Sequence, residues 1–391
     1  MCFNFVRLSL HQLKKQLKKF GNRRVWGRNM KFARTVILYL CALCISCSEN
    51  QQSETLSSVP YDTLQIVDSI GVMYGDSNYI FGTISNVDRD QQGKIFVLDS
   101  IRNCILIFSP TGEFIHQIGR YGEGPGEFND PLALEITGDG SICVVNRQWF
   151  RFNSEWEYLD AELLDNSRIS QMESCGPDAI VGIVNILDMT NAGVSIDRRI
   201  TMWSEFDPNQ EIAVYYQADY IANVPNDIFT IDLYHYVKYT VIDSTIFVAP
   251  NPLTEPLLYS FDKDGTPRDT LLLPYSAVEK SSEDIAEEKV FIEGSLYSAT
   301  SGERSIEWEP YPYRAMIGEL GTDSLGRLWV QRGFEDIAVF DIIDPDSLEV
   351  VKTVIIPDID GVINWKFHIS EYGILGIPKY EYDYPIIYII K

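Results

Sequence analysis

The feature that most limits what this chain can become is a repeat. One unit opens with Asp90, Gly93, Lys94, Ile95, Phe96 and Val97. The next opens with Gly138, Asp139, Gly140, Ser141, Ile142, Cys143 and Val144, so that Ile142 stands 47 residues after Ile95. Each unit consists of apolar runs of four or five residues bounded by Gly, Asp and Pro, too short for helices and suited to strands. Ile95 to Leu98 is one run and Ile105 to Phe108 a second; Ser109-Pro110-Thr111-Gly112 is a turn, and Glu113 to Ile118 alternates as a half-exposed strand does. Strands on such tight connections form an antiparallel meander, and a meander recurring at this period reads as a propeller blade. The stretch from Gly119 to Phe128, with four glycines and a proline, then carries the chain from one blade's outer edge to the next blade's inner strand.

Residues 84–145 resemble the NHL-repeat six-bladed β-propellers, and more narrowly the six-bladed-propeller lipoproteins of Gram-negative bacteria. The resemblance is carried by the opening Asp90 to Val97, by Pro110-Thr111-Gly112-Glu113-Phe114, and by Ile118-Gly119-Arg120-Tyr121-Gly122-Glu123-Gly124-Pro125-Gly126-Glu127-Phe128. It implies an all-β fold: a six-bladed β-propeller of four-stranded antiparallel blades around a channel. It implies no single activity, because such folds host many.

Strand-like runs divide the body, 61–391, into six units: about 80–119, about 130–161, Ile169 to Tyr216, Tyr239 to Leu273, Ala315 to Ile356 and Trp365 to Ile390. The last unit has only three strands, and an open strand edge there invites aggregation. Tyr61 to Ile70 is a spare strand-like segment at the other terminus, so it is expected to join the last sheet and close the ring. Two insertions stand out. Ala277 to Tyr297 is the one stretch with a helical pattern, and Ser281-Ser282-Glu283-Asp284 is its capping signal. Residues 217–236 are rich in aromatics. Tyr121, Tyr234, Trp308, Tyr311 and Tyr313 are candidates for a face that binds a sugar or a peptide; the plainer alternative is that they pack loops onto the body.

Residues 1–46 contain ten Lys/Arg and no Asp/Glu, which leaves 22 basic against 56 acidic residues in the rest. A body this acidic excludes nucleic acid as a partner. Residues 1–29 read as a leader or a misassigned start. Residues 30–46 read as a signal peptide: a basic segment at Met30 to Arg34, an apolar segment from Thr35 to Ile45 far short of the ~20 residues that span a bilayer, and Ser46 before Cys47. Ser46-Cys47 resembles a bacterial lipobox, with Cys44 where that motif has Leu. The resemblance implies lipidation of Cys47 and membrane attachment through it. Residues 47–60 read as a flexible tether, and Ser48 after the cysteine points to the outer membrane, facing the periplasm or the cell surface. Cys104, Cys143 and Cys175 are expected as buried free thiols.

No nucleophile elbow, metalloprotease helix or phosphate loop occurs. Asp262-Lys263-Asp264-Gly265 opens like a calcium loop, but Leu273 occupies the position that needs Glu, so a turn is expected. One constellation remains. Counting five residues back from each turn glycine gives Asp88, Glu135, Glu173 (from Asp178), Tyr239 in blade four, Gly321 with Glu319 nearby in blade five, and His368. Equivalent inner-strand positions should ring the channel. Asp88, Glu135, Glu173, Glu319 and His368 are therefore candidates to hold a divalent cation such as Ca²⁺ or to act on a substrate, or simply polar strand ends bonded to their neighbours. The reading favoured is an envelope binding module for a glycan, peptide or partner protein, without a cofactor. A metal-dependent hydrolase or lyase and a structural subunit of an outer-membrane assembly are the alternatives.

Overall fold

The computed structural model describes residues 59–164, 167–190, 193–204, 207–222, 237–290, 310–360, 365–379 and 384–391. Cys47, Tyr234 and Trp308 lie outside the described residues, as do the leader, the signal segment and nearly all of the tether. Two short strands, β1 (Tyr61–Thr63) and β2 (Ile66–Ile70), come first. Blade one is β3 (Ile84–Arg89), β4 (Ile95–Asp99), β5 (Cys104–Phe108) and β6 (Phe114–Ile118). Blade two is β7 (Ala133–Ile136), β8 (Ile142–Val145), β9 (Gln148–Phe152) and β10 (Tyr158–Leu163). Blade three is β11 (Ser167–Ser174), β12 (Ala179–Thr190), β13 (Gly193–Ser204) and β14 (Asp207–Ala222). Blade four is β15 (Lys238–Ile242), β16 (Thr245–Ala249), β17 (Leu257–Asp262) and β18 (Pro267–Leu272). Blade five is β19 (Ile317–Thr322), β20 (Leu328–Arg332), β21 (Ile337–Ile343) and β22 (Val350–Asp360). Blade six adds β23 (Trp365–Ser370), β24 (Gly373–Pro378) and β25 (Ile387–Ile390). The fold is a six-bladed β-propeller, each blade built on four antiparallel strands.

The apolar runs go where their length and bulk require. Strands β4 and β5 are buried on both faces, as unbroken apolar strands should be, whereas β6 is exposed over most of its length. A blade buries each face against a neighbour, so the core is six slabs, one per seam. Phe96, Ile107, Leu134 and Phe150 fill the seam of blades one and two, and Trp149, Met172 and Trp203 that of two and three. Val181, Tyr215 and Tyr239 fill the next seam, and Phe247, Leu258 and Leu320 the one after it. Phe340, Ile356 and Phe367 fill the seam of five and six, and Ile70, Phe81, Val97 and Leu375 that of six and one. Cys104, Cys143 and Cys175 are buried free thiols.

The N-terminal segment closes the ring, but not as a single strand. β2 pairs antiparallel with β25, Ile66 opposite Ile390 and Ile70 opposite Ile387, and completes blade six. β1 pairs parallel with β22 and makes blade five a five-stranded sheet. The reason lies at Leu64 and Gln65: Leu64 N donates to Ile355 O, while Gln65 N donates to Lys391 O. The chain therefore crosses from one blade to the next in a single step. Residues 217–222, read above as part of a loop, instead continue β14, which pairs with β13 from Val194 to Ser204. A helix, α1, spans residues 282–290. Its cap is reciprocal: Asp284 N donates to Ser281 Oγ at 3.1 Å and Ser281 N to Asp284 Oδ2 at 2.8 Å. Asp262 to Gly265 is the expected turn, with Gly265 at φ 87° and its N–H donating to Asp262 O.

Candidate functional site

The six inner strands β3, β7, β11, β15, β19 and β23 begin at the same end of the channel, because each blade has four antiparallel strands and returns the chain to its starting side. Side chains at equivalent positions therefore form layers around the axis. One layer holds Asp88, Glu135, Glu173, Thr240, Gly321 and His368. Their cross-strand partners are Phe96, Cys143, Val181, Phe247, Trp329 and Leu375. Each partner packs in the seam toward the following blade, so each layer residue leaves its strand toward that blade.

Tyr239 does not belong to this layer. The β15–β16 turn has only two residues, Asp243 and Ser244, with Ile242 paired to Thr245, so counting back from a glycine that is missing lands one residue early. A one-residue slip reverses the face: Tyr239 points into the seam with blade three, where its hydroxyl donates to Val181 O at 2.9 Å. At Gly321 a Cβ would come within 2.5 Å of Ile369 Cβ, so blade six packs where the other blades carry a side chain. Glu319 lies two residues back, in a second layer with Asn86, Gln171, Lys238 and Lys366.

The three acids act as inter-blade latches. Asp88 Oδ2 accepts from Ile136 N at 2.6 Å, Glu135 Oε1 from Ser174 N at 2.7 Å, and Glu173 Oε2 from Val241 N at 2.8 Å. Each accepted amide belongs to the residue after the layer position on the next inner strand. His368 closes the series, its Nε2 3.5 Å from Asp88 Oδ1. Among the described residues no three His, Cys, Asp or Glu converge as a metal site, because each carboxylate is drawn toward a different seam.

Burial dominates the electrostatics of this layer. It pushes Glu173 up to about 8 despite the Val241 amide. Asp88 and Glu135 are both raised, first by burial; the nearby Asp88 charge adds to the effect on Glu135. Burial, then the Arg89 charge, push His368 down to about 4, so its imidazole is neutral at pH 7. In the second layer Lys238 pairs with Glu319 Oε2. Burial opposes ionisation of Glu319, but Lys238, Lys379 and Lys366 outweigh it and hold the carboxyl below its ordinary range.

Both layers line one cavity of about 580 Å³ in the channel, with Asp88, Glu135, Glu173, Lys238, Glu319 and His368 all in its wall. The structure thus brings together Asp88, Glu135, Glu173, Glu319 and His368, but not Tyr239. It adds Thr240, Lys238 and Lys366, which follow from the period-two pleat once the register is known. Of the candidate aromatics, Tyr121, Tyr311 and Tyr313 do not join them. Tyr121, 70% exposed, lies in the connection between blades one and two. Tyr311 and Tyr313 form an edge-on pair in the connection between blades four and five, on the opposite side of the ring.

A family model described as a 6-bladed beta-propeller (DUF5128) matches residues 73–174, which span blades one and two and β11. No curated protein matches the chain by sequence. Among solved structures, a DUF4221 member from Bacteroides vulgatus is 9% identical over 85% of this chain and 98% of its own, with TM-score 0.49. BF0058 of Bacteroides fragilis is 11% identical over 84% and 95%, with TM-score 0.46. Regucalcin, a calcium-binding protein of Agrobacterium tumefaciens, is 9% identical over 84% and 94%, with TM-score 0.39.

Proposed function

We propose that the chain is an exported, lipid-anchored binding module that takes a small polar ligand into its central channel at the cell envelope. The observation that carries this reading is the cavity of about 580 Å³, a volume typical of small-molecule sites. Its wall offers charged and polar groups from all six blades. The acids of that wall are engaged in latching blades together, which suits a rigid receptor. Export and anchoring at the outer membrane through Cys47 are supported by the basic and apolar segments of residues 30–46 and by Ser46-Cys47.

Titration calorimetry of the full chain against a panel of neutral and acidic mono- and disaccharides and short peptides tests the channel reading. Asn86→Trp, which fills the cavity from a half-buried position, is expected to remove the binding that the wild type shows. No binding to any member, or binding that Asn86→Trp leaves intact, overturns the reading.

A further inference from the structure

The second layer carries charges on three consecutive blades. Lys238 on β15, Glu319 on β19 and Lys366 on β23 stand two residues before Thr240, Gly321 and His368. Residues two apart share a face of a strand, so all three point toward the channel, and all three line its cavity. One carboxylate therefore stands between two ammonium groups. Glu319 pairs with Lys238, Oε2 against Nζ, and both side chains of that pair are nearly buried. Lys366 is left over. Among the described residues nothing bonds to its ammonium, and its side chain is exposed to the channel. Elsewhere Lys94, Lys263, Lys280 and Lys352 each hold a carboxylate.

An amine so placed differs chemically from a surface lysine. The ring encloses it while leaving it open to the channel. That enclosure first, and the Lys238 charge second, push its ammonium below the ordinary lysine range, against a weaker pull from Glu319. Lys379, just past β24, adds a third positive charge near Glu319. Once unprotonated, the amine is a nucleophile toward a carbonyl carbon. The cavity wall carries more carboxyl groups than cations, so it disfavours an anionic ligand and favours a positively charged adduct. Asn86, Gln171 and Thr240 on the same wall offer hydrogen bonds to hydroxyl groups.

We infer that Lys366 is the reactive amine of the channel, and that the ligand is a small hydroxylated aldehyde held there as an imine. The inference rests on the channel-binding reading above. The unprotonated Nζ attacks the carbonyl carbon, and the carbonyl π pair moves to oxygen. The two protons of the amine pass to that oxygen, which leaves as water while the nitrogen pair closes the C=N bond. Nothing is oxidised or reduced. The paired Lys238 and Glu319 stand in the same layer and serve to hand protons between nitrogen and the departing oxygen. A protonated imine keeps the positive charge that Glu319 already faces.

The test is incubation of the purified full chain with glyceraldehyde and sodium cyanoborohydride, which fixes an imine as a stable secondary amine. Peptide mass mapping between pH 6 and pH 9 then reads each lysine. Lys366 is expected to be labelled roughly tenfold faster at pH 7 than Lys263 and Lys352, and its rate should rise at a lower pH than theirs. Asn86→Trp, which fills the cavity, should abolish labelling of Lys366 and leave that of the other two. Lys366→Arg keeps the charge but forms no imine. Its melting temperature should match the wild type, and its calorimetric binding of glyceraldehyde should fall to that of glycerol, which has no carbonyl. Lys366 labelled no faster than Lys263 and Lys352, with glyceraldehyde bound alike by the wild type and Lys366→Arg, overturns the inference while leaving the channel as the binding site. Labelling of Lys366 unchanged in Asn86→Trp overturns it together with the channel reading.

Discussion

Asp88, Glu135 and Glu173 accept backbone amides across seams, and burial still raises all three above the ordinary carboxylate range. Their effect on stability has a definite sign. An acid whose folded value is raised stabilises the fold fully below its unfolded value, and that contribution is lost as pH rises through the folded value. For Glu173 the window runs from 4.5 to about 8. His368, lowered from 6.5 to about 4, acts oppositely, its contribution fading as pH falls through that interval. Three acids outweigh one imidazole, so the melting temperature should fall as pH rises from 5 to 8. Glu173→Gln keeps an acceptor for the Val241 amide and removes the charge. It should flatten this profile and raise stability at pH 8, on the order of 1 kcal/mol per pH unit crossed. Calorimetric scans at several pH values check it; a wild-type curve that rises steadily to pH 8 contradicts the assignment. The acids were legible in the sequence because each stands at a fixed offset from a turn residue. Thr240 was not, because its turn is shorter and carries no glycine.

At the scale of elements, closure depends on two strands with unequal duties. β1 adds three residues to the exposed edge of blade five. β2 completes blade six, and Ile70 sits in the core seam of blades six and one. A chain beginning at Gln65 should therefore fold and melt only a few degrees lower, whereas one beginning at Gly71 exposes a strand edge and an apolar seam and should aggregate. Equal melting temperatures for the two would show that β2 does not hold the ring. The need for a closing strand was visible in the sequence, because blade six was one strand short. The division at Leu64 and Gln65 was not, because two adjacent amides donating to different blades leave no mark on composition. The helix start was legible at Ser281, since a reciprocal cap is a local arrangement that needs no tertiary partner.

At the scale of the molecule, the acidic body encloses a channel that carries Arg89, Lys238 and Lys366 in its wall. Attachment to a membrane would hold that channel at the envelope. Metabolic labelling with a radioactive fatty acid should mark the wild type and not Cys47→Ala; equal labelling of both removes the proposed anchor.

The periodicity of apolar runs and turn residues determined the blades, their order and the need for closure, because strand formation and hairpin turns depend on neighbours within a few positions. The layer of acids followed from the same repeat. Which seam each side chain enters was decided only by the folded ring, since a single-residue change in a turn reverses the face of every residue before it. The meeting of Arg89 with the Tyr372 carbonyl, 283 positions away, exists only because the ring closes between blades six and one. So do the shifted ionisations of His368 and the three acids: burial sets them, and burial is a property of the assembled seams.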